Sequence, residues 1–286
     1  MIVDAHHHFW DPAHAHYPWM AGDSMAPIRR AFGPDDLRPL LKDAGIRGSV
    51  LVQTRSSLAE TIEFLALAEA TDFVAGVVGW VDLTDPNVGR TIGDLKERPG
   101  GRFLVGIRHQ VHDEADEAWL RRQDVRRGLL AVEAAGLAYD LLVKTPQLPA
   151  ALDVARALPR LQFVIDHIAK PRIVSGREDP AWAEAMAPFS ELPNVSCKLS
   201  GLVTEADWTT WTAQDLEPYV RKVAGWFGED RLMFGSDWPV CLLAASYTRV
   251  VEALRQALGE IPDRARRQIM GGTAVHVYRL PVGTTQ

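Results

Sequence analysis

The stretch Met1-Ile2-Val3-Asp4-Ala5-His6-His7-His8-Phe9-Trp10 starts with apolar, strand-forming residues and continues into a His-x-His pair. In an extended chain residues i and i+2 point to the same face, so His6 and His8 project side by side while His7 points away. Two convergent imidazoles at a strand end suit a metal ion or an oxyanion. A solvated His-rich tail is the other interpretation, but the histidines run directly into Phe9 and Trp10. The pattern therefore favours a functional site at the end of a first strand.

Short apolar runs with strand character recur along the chain, separated by segments with helical spacing. Eight strands are predicted: Ile2–Ala5, Ser49–Gln53, Val74–Val81, Phe103–Ile107, Tyr139–Val143, Phe163–Asp166, Val195–Leu199 and Leu232–Gly235. Near-continuous apolar strands that alternate with helices indicate a parallel sheet covered on both faces. Eight such units in 286 residues favour an α/β fold of the (β/α)8 TIM-barrel type over an open doubly wound sheet.

Helix signals between the strands agree with this pattern. Helices are predicted over Pro34–Ala44, Leu58–Ala70, Asp124–Ala135 and Tyr247–Leu258, three of them followed by a glycine that suits a helix C-terminus. No Ser/Gly-rich linker or low-complexity tract divides the chain, which predicts a single domain over residues 1–286. Within segment 9–33, the part His14–Arg30 is too irregular for a helix and predicts a long loop over the barrel mouth.

The bulk composition limits the function. A hydrophobic content of 47% with 24% charged residues is ordinary for a soluble globular enzyme. The formal charge of −6, without long runs of like charge, offers no basic stripe for nucleic acid and no polybasic patch for a membrane. Two cysteines, Cys197 and Cys241, indicate a reducing compartment, and no apolar run reaches the roughly 18 residues of a membrane span. We expect a cytoplasmic protein whose partners are small molecules.

If the fold is a barrel, its chemistry belongs at the C-terminal ends of the strands. The polar and aromatic residues there are His6, His8, Gln53, Arg108, His109, His167, Lys198, Asp237 and Trp238. Asp237 follows the apolar run that starts at Leu232 and precedes Pro239, so its carboxylate is placed to act as a general base toward water. A capping or turn aspartate is the alternative interpretation of this residue.

Two further strand ends carry groups that suit the same chemistry. His167 follows the run Phe163–Asp166 and is placed to polarise a carbonyl or bind a metal. Arg108 is a permanent cation with a planar donor fork, suited to a carboxylate, hydroxyls or a developing oxyanion. A structural histidine and a surface salt bridge are the respective alternatives.

Four segments resemble the amidohydrolase superfamily, and more closely its sugar-lactonase branch of the L-fuconolactonase and L-rhamnonolactonase type. These segments are Asp4-Ala5-His6-His7-His8-Phe9-Trp10, Gly106-Ile107-Arg108-His109-Gln110, Asp166-His167-Ile168-Ala169-Lys170-Pro171 and Gly235-Ser236-Asp237-Trp238-Pro239. They occur in the expected order at predicted strand ends, and the resemblance covers essentially the whole chain. It implies a distorted (β/α)8 barrel.

The resemblance also implies a set of residues around the reacting centre: His6, His8, His167 and Asp237, with Asp237 as the base. Many metal-dependent members place a histidine at the end of strand five and a Lys or Glu at the end of strand four. Here strand five reads Tyr139-Asp140-Leu141-Leu142-Val143 and strand four offers Arg108, so a binuclear site is not expected. One divalent ion, zinc or manganese, on some of the four residues and a metal-independent site both remain open.

The expected reaction is hydrolysis of a sugar lactone such as L-fuconolactone to the open-chain acid. Asp237 would activate water and then protonate the ring oxygen, while the histidines or a bound ion stabilise the oxyanion. The residues expected to hold the sugar are Arg108, Gln53, Lys198, His109, Trp19 and Trp238. Two alternatives within the superfamily are a metal-dependent decarboxylase and a pyrone- or muconolactone-type hydrolase. A non-catalytic sugar-acid binding protein is a third alternative, and a homo-oligomer remains open.

Overall fold

The computed structural model describes residues 1–174 and 177–281. In this part of the chain, one sheet contains eight parallel strands that pair in chain order from the first to the eighth. They are β1 (Val3–His7), β2 (Gly48–Val52), β3 (Val74–Gly79), β4 (Leu104–His109), β5 (Ala138–Leu141), β6 (Phe163–Ile165), β7 (Val195–Leu199) and β8 (Leu232–Phe234). Each predicted strand overlaps one of these, and the predicted (β/α)8 barrel is confirmed.

The barrel closes between β8 and β1, at a seam that lies beyond the end of β8. The Asp237 amide donates to the His6 carbonyl oxygen (2.8 Å), and the His8 amide donates to the Trp238 carbonyl oxygen (2.7 Å). The pairing register also shifts within β1–β2, β2–β3 and β3–β4. The barrel is therefore distorted, and the segment that closes it carries the predicted base.

Helices follow the strands and cover the outside of the sheet. They are α1 (Pro34–Ala44), α2 (Leu58–Ala70), α3 (Val88–Glu97), α4 (Gln123–Ala134), α5 (Leu148–Ala157), α6 (Pro180–Met186), α7 (Ala213–Phe227), α8 (Tyr247–Leu258), α9 (Asp263–Arg267) and α10 (Thr273–Val277). The four predicted helices are all present. Side-chain oxygens of Ser57 and Ser246 cap α2 and α8, because each accepts a hydrogen bond from a first-turn amide. No helix among the described residues is long and apolar enough to cross a membrane.

The lower half of the barrel interior is filled with aliphatic side chains. Aliphatic side chains from six strands contact one another in one buried cluster: Val3, Ala5, Val50, Val52, Val78, Ala138, Val164 and Met233. The cluster also includes Ala274 of α10 and Tyr278. Side chains from so many strands meet only inside a barrel. The C-terminal segment thus covers one end of the barrel, and the opposite end, where the strands finish, is left for a site.

Candidate active site

An irregularity in β1 sets the direction of the histidine pair. The pairing of β1 with β2 shifts register between Asp4 and His7. Before the shift Ala5 packs in the barrel interior, and strict alternation would then direct His7 inward. Instead, the His7 ring bonds to the Ser49 hydroxyl (2.9 Å), while His6 turns toward the end of the barrel. A local break in strand geometry thus aims the imidazole at the site, as β-bulges do.

Asp237 lies at the centre of three imidazoles. Its Oδ1 atom is 3.3 Å from His8 Nε2, 3.8 Å from His6 Nε2 and 3.9 Å from His167 Nε2. The residue has φ = +57°, a left-handed conformation that aspartate tolerates better than most residues. The structure therefore brings together the four residues that the sequence predicted around the reacting centre.

His167 reaches this group from an unusual turn after β6. The chain from His167 to Lys170 is left-handed, with φ between 47° and 60° at each of the four residues. His167 Nδ1 lies 2.9 Å from the Ser200 hydroxyl, and Gly201 packs against the ring so closely that a Cβ there would be 2.5 Å from Nδ1. The segment after β7 therefore fixes the orientation of the His167 ring.

Hydrogen bonding defines which nitrogen of His8 is free. His8 Nδ1 lies 2.8 Å from the Val52 carbonyl oxygen, which can only accept, so Nδ1 carries the hydrogen. In the neutral ring Nε2 is then an acceptor, and it faces the Asp237 carboxylate at 3.3 Å. Two acceptors at this distance need a proton or a cation between them. Metal-binding histidines commonly donate their second N–H to a backbone carbonyl in this way.

The geometry and the donor types fit one divalent ion. Imidazole nitrogens and a carboxylate oxygen are the ligands that zinc takes in catalytic sites, at about 2.0–2.2 Å. Two ligands of one tetrahedral zinc are then roughly 3.3 Å apart. The separation of Asp237 Oδ1 from His8 Nε2 equals this value, and those from His6 Nε2 (3.8 Å) and His167 Nε2 (3.9 Å) are longer by about half an ångström. The ligand atoms of His6, His8 and Asp237 all lie within 4.8 Å of one another, and His167 belongs to a second such group with His6 and Asp166.

Burial sets the protonation of the site. It lowers the pKa of His167 to about 4, although the carboxylates of Asp237 and Asp166 oppose the shift. It also lowers the pKa of His6 well below its ordinary value. For Asp237, burial opposes ionisation, but the charge that His167 carries when it is protonated at low pH and the hydrogen bond with His8 outweigh burial and lower the pKa of Asp237. Near neutral pH the site therefore holds an ionised carboxylate beside two neutral imidazoles.

Arg108 connects the site to a charged group deeper in the barrel. Its Nη1 atom donates to Asp166 Oδ2 (2.9 Å) and lies 3.3 Å from His6 Nε2, and Nη2 donates to the Gln53 carbonyl oxygen. Asp166 belongs to a network with Lys198, which lies 3.0 Å from Asp166 Oδ1 and 2.6 Å from Asp140 Oδ2. All of these side chains are buried.

A cavity of about 260 Å³ opens onto Asp237. Its polar lining includes His8, Arg108, His167, Asp237, Lys170 and Glu205, and its apolar lining includes Trp19, Met25, Leu142, Trp208 and Leu243. The volume is below the roughly 300–1,000 Å³ of sites for drug-sized ligands, which suits a smaller molecule. Trp19 and Met25 come from segment 9–33, which forms short 3-10 turns at Pro18–Met20 and Asp23–Ile28.

Four residues predicted to hold a substrate lie elsewhere in the structure. Lys198 is completely buried in its ion network, and Gln53 is buried with its amide donating to the Arg108 carbonyl oxygen (3.2 Å). Trp238 packs against Phe9 and Phe32, as the ring contacts show. His109 lies between Trp80 and Trp119 and contacts Glu114 (2.7 Å). Each residue lies at or near the end of a strand, but each side chain is turned away from the cavity or lies below it.

Other lining residues were not predicted. Lys170 belongs to the segment Asp166–Pro171 whose histidine was singled out, but a left-handed turn of non-glycine residues leaves no pattern in the sequence. Glu205 and Trp208 lie in the loop after β7, which contains a 3-10 turn at Leu202–Thr204. The only signal for them was their position after a barrel strand, where site loops occur.

Comparison with known proteins agrees with this geometry. The chain is 43% identical over 288 residues to the L-fucono-1,5-lactonase of Burkholderia ambifaria, covering 97% of this chain and 95% of that protein. It is 40% identical over 289 residues to the L-fucono-1,5-lactonase of Burkholderia multivorans, covering 98% and 96%. A crystal structure of an amidohydrolase from Burkholderia multivorans with bound zinc superimposes with a TM-score of 0.92 at 37% identity, covering 98% of this chain and all of that one.

The family model described as amidohydrolase matches residues 3–280. This range includes every strand of the barrel and the residues His6, His8, His167 and Asp237. The resemblance expected from the four sequence segments is confirmed over the whole barrel. This chain belongs to the amidohydrolase family.

Proposed function

We propose that this protein hydrolyses a sugar lactone, such as L-fucono-1,5-lactone, to the open-chain sugar acid. The observation that carries the proposal is the Asp237 carboxylate in the lining of a small cavity, within 3.3–3.9 Å of three imidazole nitrogens and in the same lining as the Arg108 guanidinium. Relatives at 40–43% identity over nearly the whole chain are L-fucono-1,5-lactonases. A cyclic ester offers a carbonyl that needs only an activated water and a stabilised oxyanion.

In this proposal Asp237 is the general base. Its carboxylate accepts a proton from a water molecule, the water oxygen bonds to the lactone carbonyl carbon, and a tetrahedral oxyanion forms. Asp237 then returns the proton to the ring oxygen as the carbon–oxygen bond breaks, so that the acid leaves and the carboxylate is restored. Arg108 lines the same cavity as Asp237, with Nη1 3.3 Å from His6 Nε2, and its guanidinium is placed to stabilise the negative charge that develops.

A zinc ion fits the same site, and His6, His8, His167 and Asp237 are the residues that would hold it. When bound, a divalent ion supplies Lewis acidity and lowers the pKa of a water molecule. The protein residues around the set prepare it: the Val52 carbonyl fixes the His8 tautomer, and Ser200 contacts His167 Nδ1. Arg108 Nη1 lies 3.3 Å from His6 Nε2, so of the four side chains His6 is the least available to bind a metal ion.

The charges of the cavity favour a neutral substrate over an aromatic acid. Among the described lining residues Arg108 is the arginine and Lys170 the lysine, and each is already paired with a carboxylate. A decarboxylase or a pyrone-dicarboxylate hydrolase needs cations that are available to bind substrate carboxylates. A polyhydroxylated lactone needs hydrogen-bond donors and acceptors together with an apolar surface, and Trp19 offers that surface at the cavity.

Four residues take a supporting role in this proposal. Gln53 and Lys198 position Arg108 and Asp166, since they bond to these residues from below the cavity. Trp238 and His109 are packed among aromatic rings that hold neighbouring strand ends in place. The catalytic role is proposed for Asp237 with His6, His8 and His167, and contact with substrate is proposed for Arg108 and Trp19.

The test is acid release from a panel of lactones, followed with a pH indicator at several enzyme concentrations. The panel contains L-fucono-1,5-lactone, other aldono-1,5- and 1,4-lactones, and a pyrone dicarboxylate, with carbon dioxide release from aromatic acids measured in parallel. We expect enzyme-dependent acid release from sugar lactones and none from the pyrone. Turnover of the pyrone or release of carbon dioxide, without lactone hydrolysis, would overturn the proposal.

Zinc binding is tested separately by metal analysis of protein dialysed against chelator and then reloaded. We expect about one zinc per chain for the wild type and for His14→Ala, an exposed histidine whose side chain is 85% accessible. His8→Ala should lose most of the bound metal, because its Nε2 atom is the imidazole nitrogen nearest to Asp237 Oδ1. Equal zinc content in all three proteins would contradict this ligand set.

A further inference from the structure

The left-handed turn after β6 is the most strained backbone segment at the cavity. His167, Ile168, Ala169 and Lys170 have φ values of 52°, 47°, 60° and 54°. This region is unfavourable for L-residues, and a β-branched residue such as Ile168 is an outlier there. Such strain persists where the surrounding structure enforces it, and it clusters at functional sites.

Specific contacts hold this turn in place. The Trp182 indole donates to the Ile168 carbonyl oxygen (2.6 Å), and the Lys170 amide donates to the His167 carbonyl oxygen (2.8 Å). Ile168 and Ala169 are completely buried. The turn is thus stabilised by its surroundings rather than by its own conformational preference.

The turn directs two side chains into one cavity. In a tight helical turn, residues i and i+3 lie on the same side, whichever its hand. His167 and Lys170 have this spacing and both line the cavity, while the two residues between them are buried in the core. The catalytic role proposed for His167 explains why that side chain enters the cavity. It does not explain why Lys170 enters the cavity as well.

Lys170 is held across the cavity by an acidic partner. Its ammonium bonds to Glu205, and the two side chains are 19% and 20% exposed. The Ile173 amide donates to the Glu205 carbonyl oxygen (3.1 Å), so the two segments are also joined by the backbone. Trp208 follows Glu205 in the same loop and lines the same cavity. The pair therefore presents a donor and an acceptor side by side, next to an aromatic side chain.

We propose that Lys170 and Glu205 form a specificity-determining subsite that binds neighbouring hydroxyl groups of the sugar ring. The ammonium donates to one hydroxyl oxygen, and the carboxylate accepts from the next hydroxyl. This inference rests on the proposed function, and it names the part of a lactone that the enzyme recognises: a pair of adjacent hydroxyls. A purely structural ion pair would not need the strained turn, since Lys222 and Glu178 form one on the surface.

The experiment compares Lys170→Met, Glu205→Gln and the wild type on the best lactone of the panel and on analogues that each lack one ring hydroxyl. We expect kcat/KM on the parent lactone to fall about 10- to 100-fold in each variant, mainly through KM, since a charge-assisted hydrogen bond is lost. The wild type should lose a similar factor on two deoxy analogues, one lacking the hydroxyl bound by Lys170 and one lacking the neighbouring hydroxyl bound by Glu205. On the analogue that lacks its own hydroxyl, each variant should lose little more, because that contact is already absent.

Controls separate binding from folding. Lys222→Met removes the surface pair and should leave both substrates unaffected. Lys170→Arg keeps the charge and should recover part of the lost affinity if Lys170→Met folds poorly. Equal losses on the parent and on every deoxy analogue, or no loss at all, would overturn the subsite while leaving the lactonase proposal intact. A wild type inactive on every lactone would overturn the proposed function and this inference together.

Discussion

Two ionic groups lie one above the other inside the barrel, and each contains at least one buried aspartate. The upper one, the cavity cluster, consists of His8, His167 and Asp237, all lining the cavity. The lower one, the buried ion network, consists of Arg108, Asp140, Asp166, Lys198 and Tyr278. Exposure hardly distinguishes them, since Asp237 is 3% and Asp166 0% exposed. The difference is in how completely each group satisfies its own charges.

The buried ion network balances its own charges, and Arg108 is its member that also lines the cavity. It pairs two cations with two carboxylates, and the Tyr278 hydroxyl donates to Asp140 (2.8 Å). The cavity cluster has one carboxylate facing imidazole nitrogens, and His8, whose Nδ1 hydrogen is used by the Val52 carbonyl oxygen, turns Nε2 toward that carboxylate at 3.3 Å. A group that lacks a proton or cation is prepared for a ligand, whereas a complete one stabilises the fold. Substitutions in the cavity cluster and in the buried ion network test this distinction.

The largest effect is expected for Asp237→Asn. The change removes the proposed base but keeps the side-chain volume, and asparagine tolerates the left-handed φ of +57°. Lactone kcat should fall about 10²- to 10⁴-fold, the usual contribution of a general base. The measurement is steady-state kinetics together with thermal unfolding.

The control for this variant is Asp72→Asn, an exposed aspartate with a side-chain accessibility of 77%. It should match the wild type in both measurements. Near-normal turnover by Asp237→Asn would exclude Asp237 as the base and would place the cavity cluster in a binding role instead.

The second effect concerns stability and is expected for Lys198→Met. Burial raises the pKa of Asp140 to about 6 even with the Lys198 ammonium beside it. Without Lys198 two buried carboxylates lose their shared cation, and breaking a buried pair from one side costs about 3–5 kcal/mol of unfolding free energy. Urea unfolding monitored by fluorescence measures this loss.

A double variant shows whether the loss comes from unpaired charge. Adding Asp140→Asn to Lys198→Met removes one of the two stranded carboxylates and should restore part of the stability. The surface pair gives the reference, since Lys222→Met should change the unfolding free energy by less than about 1 kcal/mol. A Lys198→Met protein as stable as the wild type would mean that the buried ion network does not hold the barrel together.

Sequence patterns predicted the barrel well because strand and helix periodicity report directly on burial. Eight apolar runs alternating with helices specify the order of elements, and the end of each strand marks the edge where a site forms. His6, His8, His167 and Asp237 were predicted in this way, and their side chains lie together in the structure. Which strand-end side chains enter the cavity could not be predicted, as Lys198 and Gln53 show. The bulge in β1 and the left-handed turn at His167 redirect side chains without any signature in residue type.

The third effect is expected for Gly201→Ala, which should lower both lactone activity and stability. This residue has φ = +64°, and a Cβ would lie 2.5 Å from His167 Nδ1, three residues after Lys198 on the same chain segment. Gly201→Ala should displace the His167 ring and lower kcat/KM more than tenfold, with a stability loss of about 2–4 kcal/mol from overpacking and backbone strain.

Gly45→Ala is the matched control for this change. Gly45 also has a left-handed φ, +70°, but a Cβ there would meet nothing within 4 Å. It should lose stability through backbone strain alone and retain full lactone activity. Equal activity of Gly201→Ala and Gly45→Ala would show that the orientation of His167 does not matter for catalysis.

The smallest effect is expected for Tyr278→Phe, at the far end of the buried ion network. The ring remains packed in the barrel interior, and the change removes only the hydroxyl that donates to both oxygens of Asp140 at 2.8 Å. Lys198 still neutralises that carboxylate, so the loss should be about 1.5 kcal/mol, the lower range for a hydrogen bond to a charged group. Lactone kcat/KM should stay within about twofold, because the hydroxyl contacts nothing in the cavity cluster.

This last variant decides how separate the two ionic groups are. Tyr219→Phe gives the comparison, because its hydroxyl donates to the backbone carbonyl oxygens of Arg172 and Arg177 (3.1 and 3.2 Å) and should lose less than Tyr278→Phe. If Tyr278→Phe instead lowers activity tenfold at nearly full stability, the charge on Asp140 must affect the site through Lys198 and His6. Lys198 Nζ lies 3.2 Å from His6 Nδ1. The buried ion network would then tune the site as well as hold the barrel, and the division between a structural group and a reactive one would fail at His6.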